Sequence, residues 1–305
     1  MTDQTSALFA PLVGKGFIQI DGEEAAPFLQ TILTANIDQI AVGGCAPAAL
    51  LTPQGRVLHD MMIYRCPAGA DAGSHFIIEA DASGLADLFT RLRRYRLRRP
   101  VNLQVVEDMT IWLCWGAPVD IEGVYHDRRH QSLGCRWLGH GDAPPPFTAI
   151  ATRGEITQWQ ALRIAAGVPE GPLDLTPERA LMLEAGLDRL GAVDFEKGCY
   201  IGQEVTARTH YRGLVKRRLV PLHMPAGSPP APGTEILLNE RAVATTKTAA
   251  KTEGGSLCLA LIKLSDLHLV LGGEAKLQVA GSPADLLIPE WMQPLPNPAR
   301  TDRAG

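Results

Sequence analysis

Lys197-Gly198-Cys199-Tyr200-Ile201-Gly202-Gln203-Glu204 is the segment in which residue types and spacing point most directly to chemistry. Glycines stand one residue before and three after the thiol. There they open backbone conformations closed to other residues and let a ligand come close. Lys197, two residues away, and a helix starting at Gln203-Glu204 would favour thiolate over thiol. These are conditions for a reactive or ligand-contacting cysteine. The plainer reading of the same residues is a turn around a buried structural cysteine.

The other five cysteines, Cys45, Cys66, Cys114, Cys135 and Cys258, show no C-x-x-C pair, and no two cysteines lie closer than 21 residues in sequence. With eight scattered histidines they predict no metal site and read as reduced, mostly buried thiols. The chain has 305 residues, 46% of them hydrophobic and 20% charged, the balance of an ordinary folded protein of two or three domains. A formal charge of −4 excludes a nucleic-acid binder driven by global positive charge. No apolar run approaches the roughly 20 residues of a membrane span. The start, Met1-Thr2-Asp3-Gln4, lacks a charged and then apolar leader, so the sequence reads as a cytoplasmic protein of bacterial type.

Elements that would position these residues follow from periodicity. Gly16–Ile20 reads as a strand, and Asp21 to Glu24 opens a helix with Phe28, Leu29, Ile32 and Leu33 on one face. Ala48–Leu51, a Thr52-Pro53-Gln54-Gly55 turn and Arg56–Tyr64 form a hairpin. Period two puts Arg56, Leu58, Asp60, Met62 and Tyr64 on one side and His59 on the other. Leu85, Leu88, Phe89 and Leu92 mark a helix running into Arg91, Arg93, Arg94, Arg96, Arg98 and Arg99. A helix over 156–166 carries Trp159 and Arg163 one turn apart. After Arg217, short strands separated by turns and without helices suggest a small closed barrel, and 291–305 reads as a loose tail.

The segment Lys197–Glu204 resembles the K-G-C-(Y/F)-x-G-Q-E signature of the YgfZ family of folate-binding proteins, relatives of the glycine cleavage T-protein. Ala207-Arg208 and Arg212-Gly213 extend the match, and Leu51–Arg56, Leu92–Arg98, Trp159–Glu170 and Glu184–Asp188 follow in the expected order. The resemblance implies an α+β fold: a GcvT-like folate-binding body of two interleaved subdomains followed by a C-terminal β-barrel. The expected division is 1–212 for the body, with one subdomain over about 1–50 plus 155–212 and the other over about 51–154, then 213–290 for the barrel.

The same resemblance implies a tetrahydrofolate-binding accessory protein for assembly or repair of iron–sulfur clusters in selected enzymes, including those that modify tRNA. Its partners would be iron–sulfur client or assembly proteins. An aminomethyltransferase or other one-carbon transferase is the alternative; against it, His59-Asp60 replaces the T-protein's adjacent aspartates. Cys199 is the functional thiol of this reading. Trp159 would stack on the pterin beside Arg163, Asp60 and Arg56 would contact it, and Gln203 and Glu204 would orient loop and ligand. Each has a plainer alternative: a core tryptophan with a solvated arginine, a surface Asp60–Arg56 pair, and an acidic first helical turn. The arginines of 91–99 are a solvated face or a patch for a client, polyglutamate or weak tRNA contact.

Overall fold

Short apolar alternations separated by turns become strands in the computed structural model, which describes residues 6–67 and 75–296. In chain order the body comprises β1 (Leu8–Leu12), β2 (Lys15–Asp21), α1 (Ala25–Ile32), β3 (Gly44–Leu51), β4 (Val57–Cys66), β5 (His75–Asp81), α2 (Leu85–Arg96), β6 (Asn102–Val106), β7 (Met109–Trp115), β8 (Tyr125–His126), β9 (Cys135–His140), β10 (Thr152–Arg153), α3 (Ile156–Ala165), α4 (Gly171–Asp174) and α5 (Gln203–Arg212). β11 (Arg217–Met224), β12 (Glu235–Leu238), β13 (Arg241–Thr252), β14 (Gly255–Lys263), α6 (Leu264–Leu271), β15 (Leu277–Val279) and β16 (Ser282–Leu286) follow. Among the described residues no helix is long and apolar enough to cross a membrane.

The first sheet runs β3-β4-β5-β2-β6, and the apolar stripes of α1 and α2 cover one of its faces with Phe28, Leu29, Leu88 and Leu92 against Ile18, Ile63 and Ile78. Its other face, with Phe17, Met62, Tyr64 and Ile77, packs toward Ile111 and Leu113 of the second sheet, β10-β1-β7-β9-β8. The barrel closes in the order β11-β14-β13-β12-β15-β16, with β16 returning to pair with β11.

Several expectations change. The first helix starts at Ala25, because the Asp21 carboxylate accepts from Asn102 and Gln19 and caps nothing. The hairpin β3–β4 pairs residues on both sides of the expected subdomain boundary at 50/51, so the sheets cut the body elsewhere. The barrel region contains the helix α6. Residues 291–296 are no loose tail: Met292 is buried and Arg189 donates to the carbonyls of Trp291, Met292, Gln293 and Pro294. The rest of that stretch, 297–305, lies outside the described residues.

Between the two sheets lies a buried set of ions. Arg136 donates to both oxygens of Glu79 at 2.9 and 2.8 Å and to Asp127 at 2.9 Å. Arg129 forks onto Asp127 at 3.0 and 2.7 Å and reaches Glu170 at 2.9 Å, and Lys15 meets Glu170 at 2.9 Å. The Tyr64 hydroxyl donates to Glu79. Three cations, Lys15, Arg129 and Arg136, thus balance three carboxylates, Glu79, Asp127 and Glu170, as burial of charge requires. Burial alone would raise the Glu170 and Asp127 carboxyls, but the surrounding cations outweigh it and hold Glu170 well below its ordinary range and Asp127 at about 2.

The sign for pH follows. Asp127 has a folded-state pKa of about 2, below its ordinary 3.8, so its ionised form stabilises the fold above pH 4. That contribution, about 2 kcal/mol, drains as the pH falls from about 4 through 2. We expect an acid unfolding limb in that window by circular dichroism. Asp127→Asn should flatten the limb and destabilise the neutral protein by about 3–5 kcal/mol, through the uncompensated arginines; an unchanged limb would contradict this assignment.

Candidate functional site

Cys199 is exposed, whereas Cys45, Cys66, Cys114, Cys135 and Cys258 are all buried. Its loop is fixed from three directions. Gly202 has φ +80°, and a Cβ there would lie 2.5 Å from the Thr52 carbonyl, so this close approach to the Thr52–Gly55 turn needs glycine. Thr206, buried in the first turns of α5, donates to the Gly202 carbonyl at 3.0 Å. The Asp194 carboxylate accepts from the amides of Glu196 and Lys197 at 2.7 and 3.1 Å. Two segments far apart in sequence, the hairpin turn and the signature, therefore meet at the thiol loop.

Lys197 does something other than the sequence suggested. Its ammonium is buried and donates to the carbonyls of Leu33, at 2.8 Å, and Ala35, beside the C-terminus of α1. The Tyr200 ring lies below it, 5.5 Å away. Burial brings its pKa down to about 8, with Asp194 and Asp38 pulling the other way. Lys197 is thus a clasp that ties the loop to the first helix, and its charge is spent on backbone carbonyls, so it does not serve to activate the neighbouring thiol. Gly198 is exposed, and the Tyr200 ring is buried with a hydroxyl that has no hydrogen-bond partner. Gln203 and Glu204 form the first turn of α5 with no side-chain hydrogen bond among the described residues, which agrees with the plainer reading of them.

The hairpin places its residues differently from simple alternation. Leu50 pairs with His59 and Leu51 with Val57, leaving Leu58 as the extra residue of a bulge. Leu58 therefore joins the core under α1 and α2, while Met62 and Tyr64 face the second sheet. Arg56 donates to the Arg179 carbonyl at 2.6 Å, and Asp60 accepts from the Gly171 amide at 2.9 Å, so the two do not pair. Burial pushes the Asp60 carboxyl above its ordinary range against the pull of Lys15 and the Gly171 N–H. His59 contacts Asp87 of α2 at 2.8 Å. Because β4 pairs with β5 only from Met61 onward, the strand edge beside His59 and Asp60 is open. Both residues line a cavity of about 300 Å³ together with Asp81, Ser83, Asp87 and Arg91.

Trp159 and Arg163 are structural. Trp159 is fully buried, its indole N–H donates to the Leu133 carbonyl at 3.1 Å, and the Arg136 guanidinium lies over its ring at 5.8 Å. It offers no surface for stacking. Arg163 is buried and donates to the Val168 carbonyl at 2.6 Å and to Asp174 at 2.8 Å. In the basic helix α2, Arg91 pairs with Asp87 and Arg96 donates to the Val101 carbonyl, and just past its end Arg99 pairs with Glu24.

Sequence reasoning missed the ion set and the His59–Asp87 contact. A legible signal existed for part of it, since Glu79 and Arg136 interrupt otherwise apolar strands. A second cavity, of about 550 Å³, lies beside the signature between Asn36, Cys45, Asp194, Phe195 and His210. Among the described residues no cluster of three or more histidine, cysteine or acidic side chains could hold a metal ion.

Comparison with known proteins adds to this geometry. Residues 216–294 match the family model of the CAF17 C-terminal beta-barrel domain. The mouse and human mitochondrial iron–sulfur cluster assembly factor IBA57 are each 31% identical over 92% of this chain and 84% of theirs. An IBA57 homologue from Pyricularia oryzae is 38% identical over 71% of this chain, which spans 57% of that relative. Glycine cleavage aminomethyltransferase T from Bartonella henselae superposes with a TM-score of 0.72 at 15% identity, over 93% of this chain and 85% of that one. At that identity the likeness shows the fold: a T-protein-like α+β body with a barrel. The IBA57 relatives are mitochondrial proteins, which overturns the expectation of a cytoplasmic one.

The clasp yields a prediction. Lys197→Met should cost about 2 kcal/mol or more, because two buried carbonyls lose a charged donor. It should also raise hydrogen exchange across 198–202 by roughly tenfold or more. Exchange unchanged in that window would show that the loop holds without it.

Proposed function

The chain belongs to the IBA57 family of iron–sulfur cluster assembly factors, and on that premise we propose that it serves iron–sulfur client or assembly proteins through the Cys199 thiol. The resemblance to YgfZ stands at the level of the wider family. The observation that carries the reading is the contrast among the six cysteines: one is exposed on a braced loop and five are buried. A cluster iron takes thiolate ligands, and a cluster commonly needs four. With no metal-binding cluster among the described residues, one thiolate here can share a cluster only with ligands supplied by another protein. The exposure of Cys199 on a loop whose base Lys197, Asp194 and Gly202 fix supports such sharing. Clients that modify tRNA belong to this proposal. A weak tRNA contact would fall to Arg93, Arg94 and Arg98, the exposed arginines of the helix end that make no salt bridge among the described residues.

Tetrahydrofolate is the ligand we propose for the cavity at Asp60. Support comes from the T-protein-like fold and from a carboxyl positioned to pair with the N–H edge of a pterin. The residues present fit that edge: Asp60, Asp81 and Asp87 offer acceptors, and Arg91 is the cation for the glutamate tail. Trp159 takes no part, and the stacking surface expected of it is absent from this cavity's wall. When bound, the folate would supply one-carbon or reducing chemistry; this chain's residues would hold and orient it.

The test is complementation in a strain lacking the gene, reading the activity of iron–sulfur enzymes and tRNA thiomethylation. Cys199→Ser should fold normally and fail to complement, and full complementation would sink the thiol reading. Calorimetric titration with tetrahydrofolate should show binding that Asp60→Asn weakens by about tenfold. Absence of binding would remove the folate and leave the thiol reading standing.

A further inference from the structure

Two cysteines outside the proposed site, Cys114 on β7 and Cys135 at the start of β9, stand directly opposite each other in the antiparallel pairing of those strands. Opposed residues of antiparallel strands have Cα atoms roughly 4.5–5.5 Å apart, within the range of about 4.4–6.8 Å that a disulfide spans. Their side chains lie on one face of the sheet, so the two thiols face each other across the strand pair. Both are buried, among Phe9, Val119, Val124 and Phe147. The neighbouring Cys135 lowers the Cys114 pKa against the effect of burial, while the Cys135 pKa rises. One thiol is thereby the attacking group and the other the resolving group.

Access runs through the β8 edge of the sheet. β8, of two residues, is the only strand outside β9 in the second sheet, and its His126 pairs with Cys135. A two-residue edge opens more readily than the strands behind it. It is pinned by the ion between the next residues on either strand, Asp127 and Arg136.

We propose that Cys114 and Cys135 form a redox couple that closes to an intramolecular disulfide by exchange with a low-molecular-weight disulfide of the glutathione class. The Cys114 thiolate attacks one sulfur of the small disulfide, whose S–S bond breaks, and the departing thiolate takes up the proton that Cys114 released. The Cys135 thiolate then attacks the Cys114 sulfur of the mixed disulfide and expels the second small thiol, which takes the proton from Cys135. Two protein thiols are oxidised by two electrons, and one small disulfide is reduced to two thiols. The closed form ties β9 to β7 covalently beside Arg136, so the two strands stay joined when the ion network is protonated.

The experiment uses the full chain carrying Cys199→Ser, so that the exposed thiol does not react and five cysteines remain. The reduced protein is incubated with oxidised glutathione under native conditions, quenched in acid, denatured, and its free thiols are alkylated and weighed. The couple predicts a fall from five free thiols to three, a mass lower by about 2 Da with no glutathione adduct, and a linked Cys114–Cys135 peptide. Adding Cys114→Ser should leave four free thiols and no link. The closed form should also unfold at lower pH than the reduced form. Five thiols still free, a glutathione adduct left standing on Cys114, or a link between other cysteines would each overturn the proposal.

Discussion

Everything in the body hangs on the charge balance around Arg136 and Glu170. Six charged groups from β2, β5, β9, the β8–β9 connection and the approach to α4 meet where the two sheets face each other, and each lone pair they bury needs a donor from another element. A buried ion set of this kind contributes little net stability compared with apolar packing, yet leaving one member unpaired is costly. It therefore selects one register of sheet on sheet against all others. The short segment from Glu170 to Asp174 extends that constraint. Glu170 binds the ions, the Gly171 amide fixes Asp60, and Asp174 accepts from Arg163 of α3 and from Thr248 of the barrel. Five residues thereby connect both sheets, a helix and the barrel.

Much of the fold was legible in the sequence because it is local. The hairpin, the amphipathic α2, α3 and the run of barrel strands each carry their own periodicity, and the barrel's turns are marked by glycine and proline. What escaped was non-local or out of period. β1 finds its neighbours at β7 and β10, about a hundred residues and more away, so nothing near it in sequence reveals the sheet it joins. The bulge at Leu58 shifts the alternation by one residue, and a period-two reading then assigns Arg56 and Leu58 to the wrong face. α6 was missed because its eight residues follow β14 without a break.

At the signature loop the side chains take roles that their types alone do not reveal. Cys199 is the exposed thiol, but Lys197 holds the loop and does not face outward beside it. Trp159 and Arg163 show how side-chain type misleads: an aromatic residue and an arginine on one helix face look like a ligand cradle, and here they are consumed by Leu133, Val168 and Asp174. The chain combines an aminomethyltransferase-like fold with relatives that are mitochondrial assembly factors, and no residue of the signature lines the cavity at Asp60.

The Lys197 clasp has a consequence for the order of events as the chain is made. Its two hydrogen bonds join residues 164 and 162 positions apart, so the acceptors leave the ribosome long before their donor exists. Non-local contacts of that span form late. The loop that presents the thiol cannot be braced until α1 has packed on its sheet and the chain has grown past the second one. The display of the exposed sulfur thus becomes a property of the completed body, and a truncated or half-folded chain would carry the signature without the means to present it.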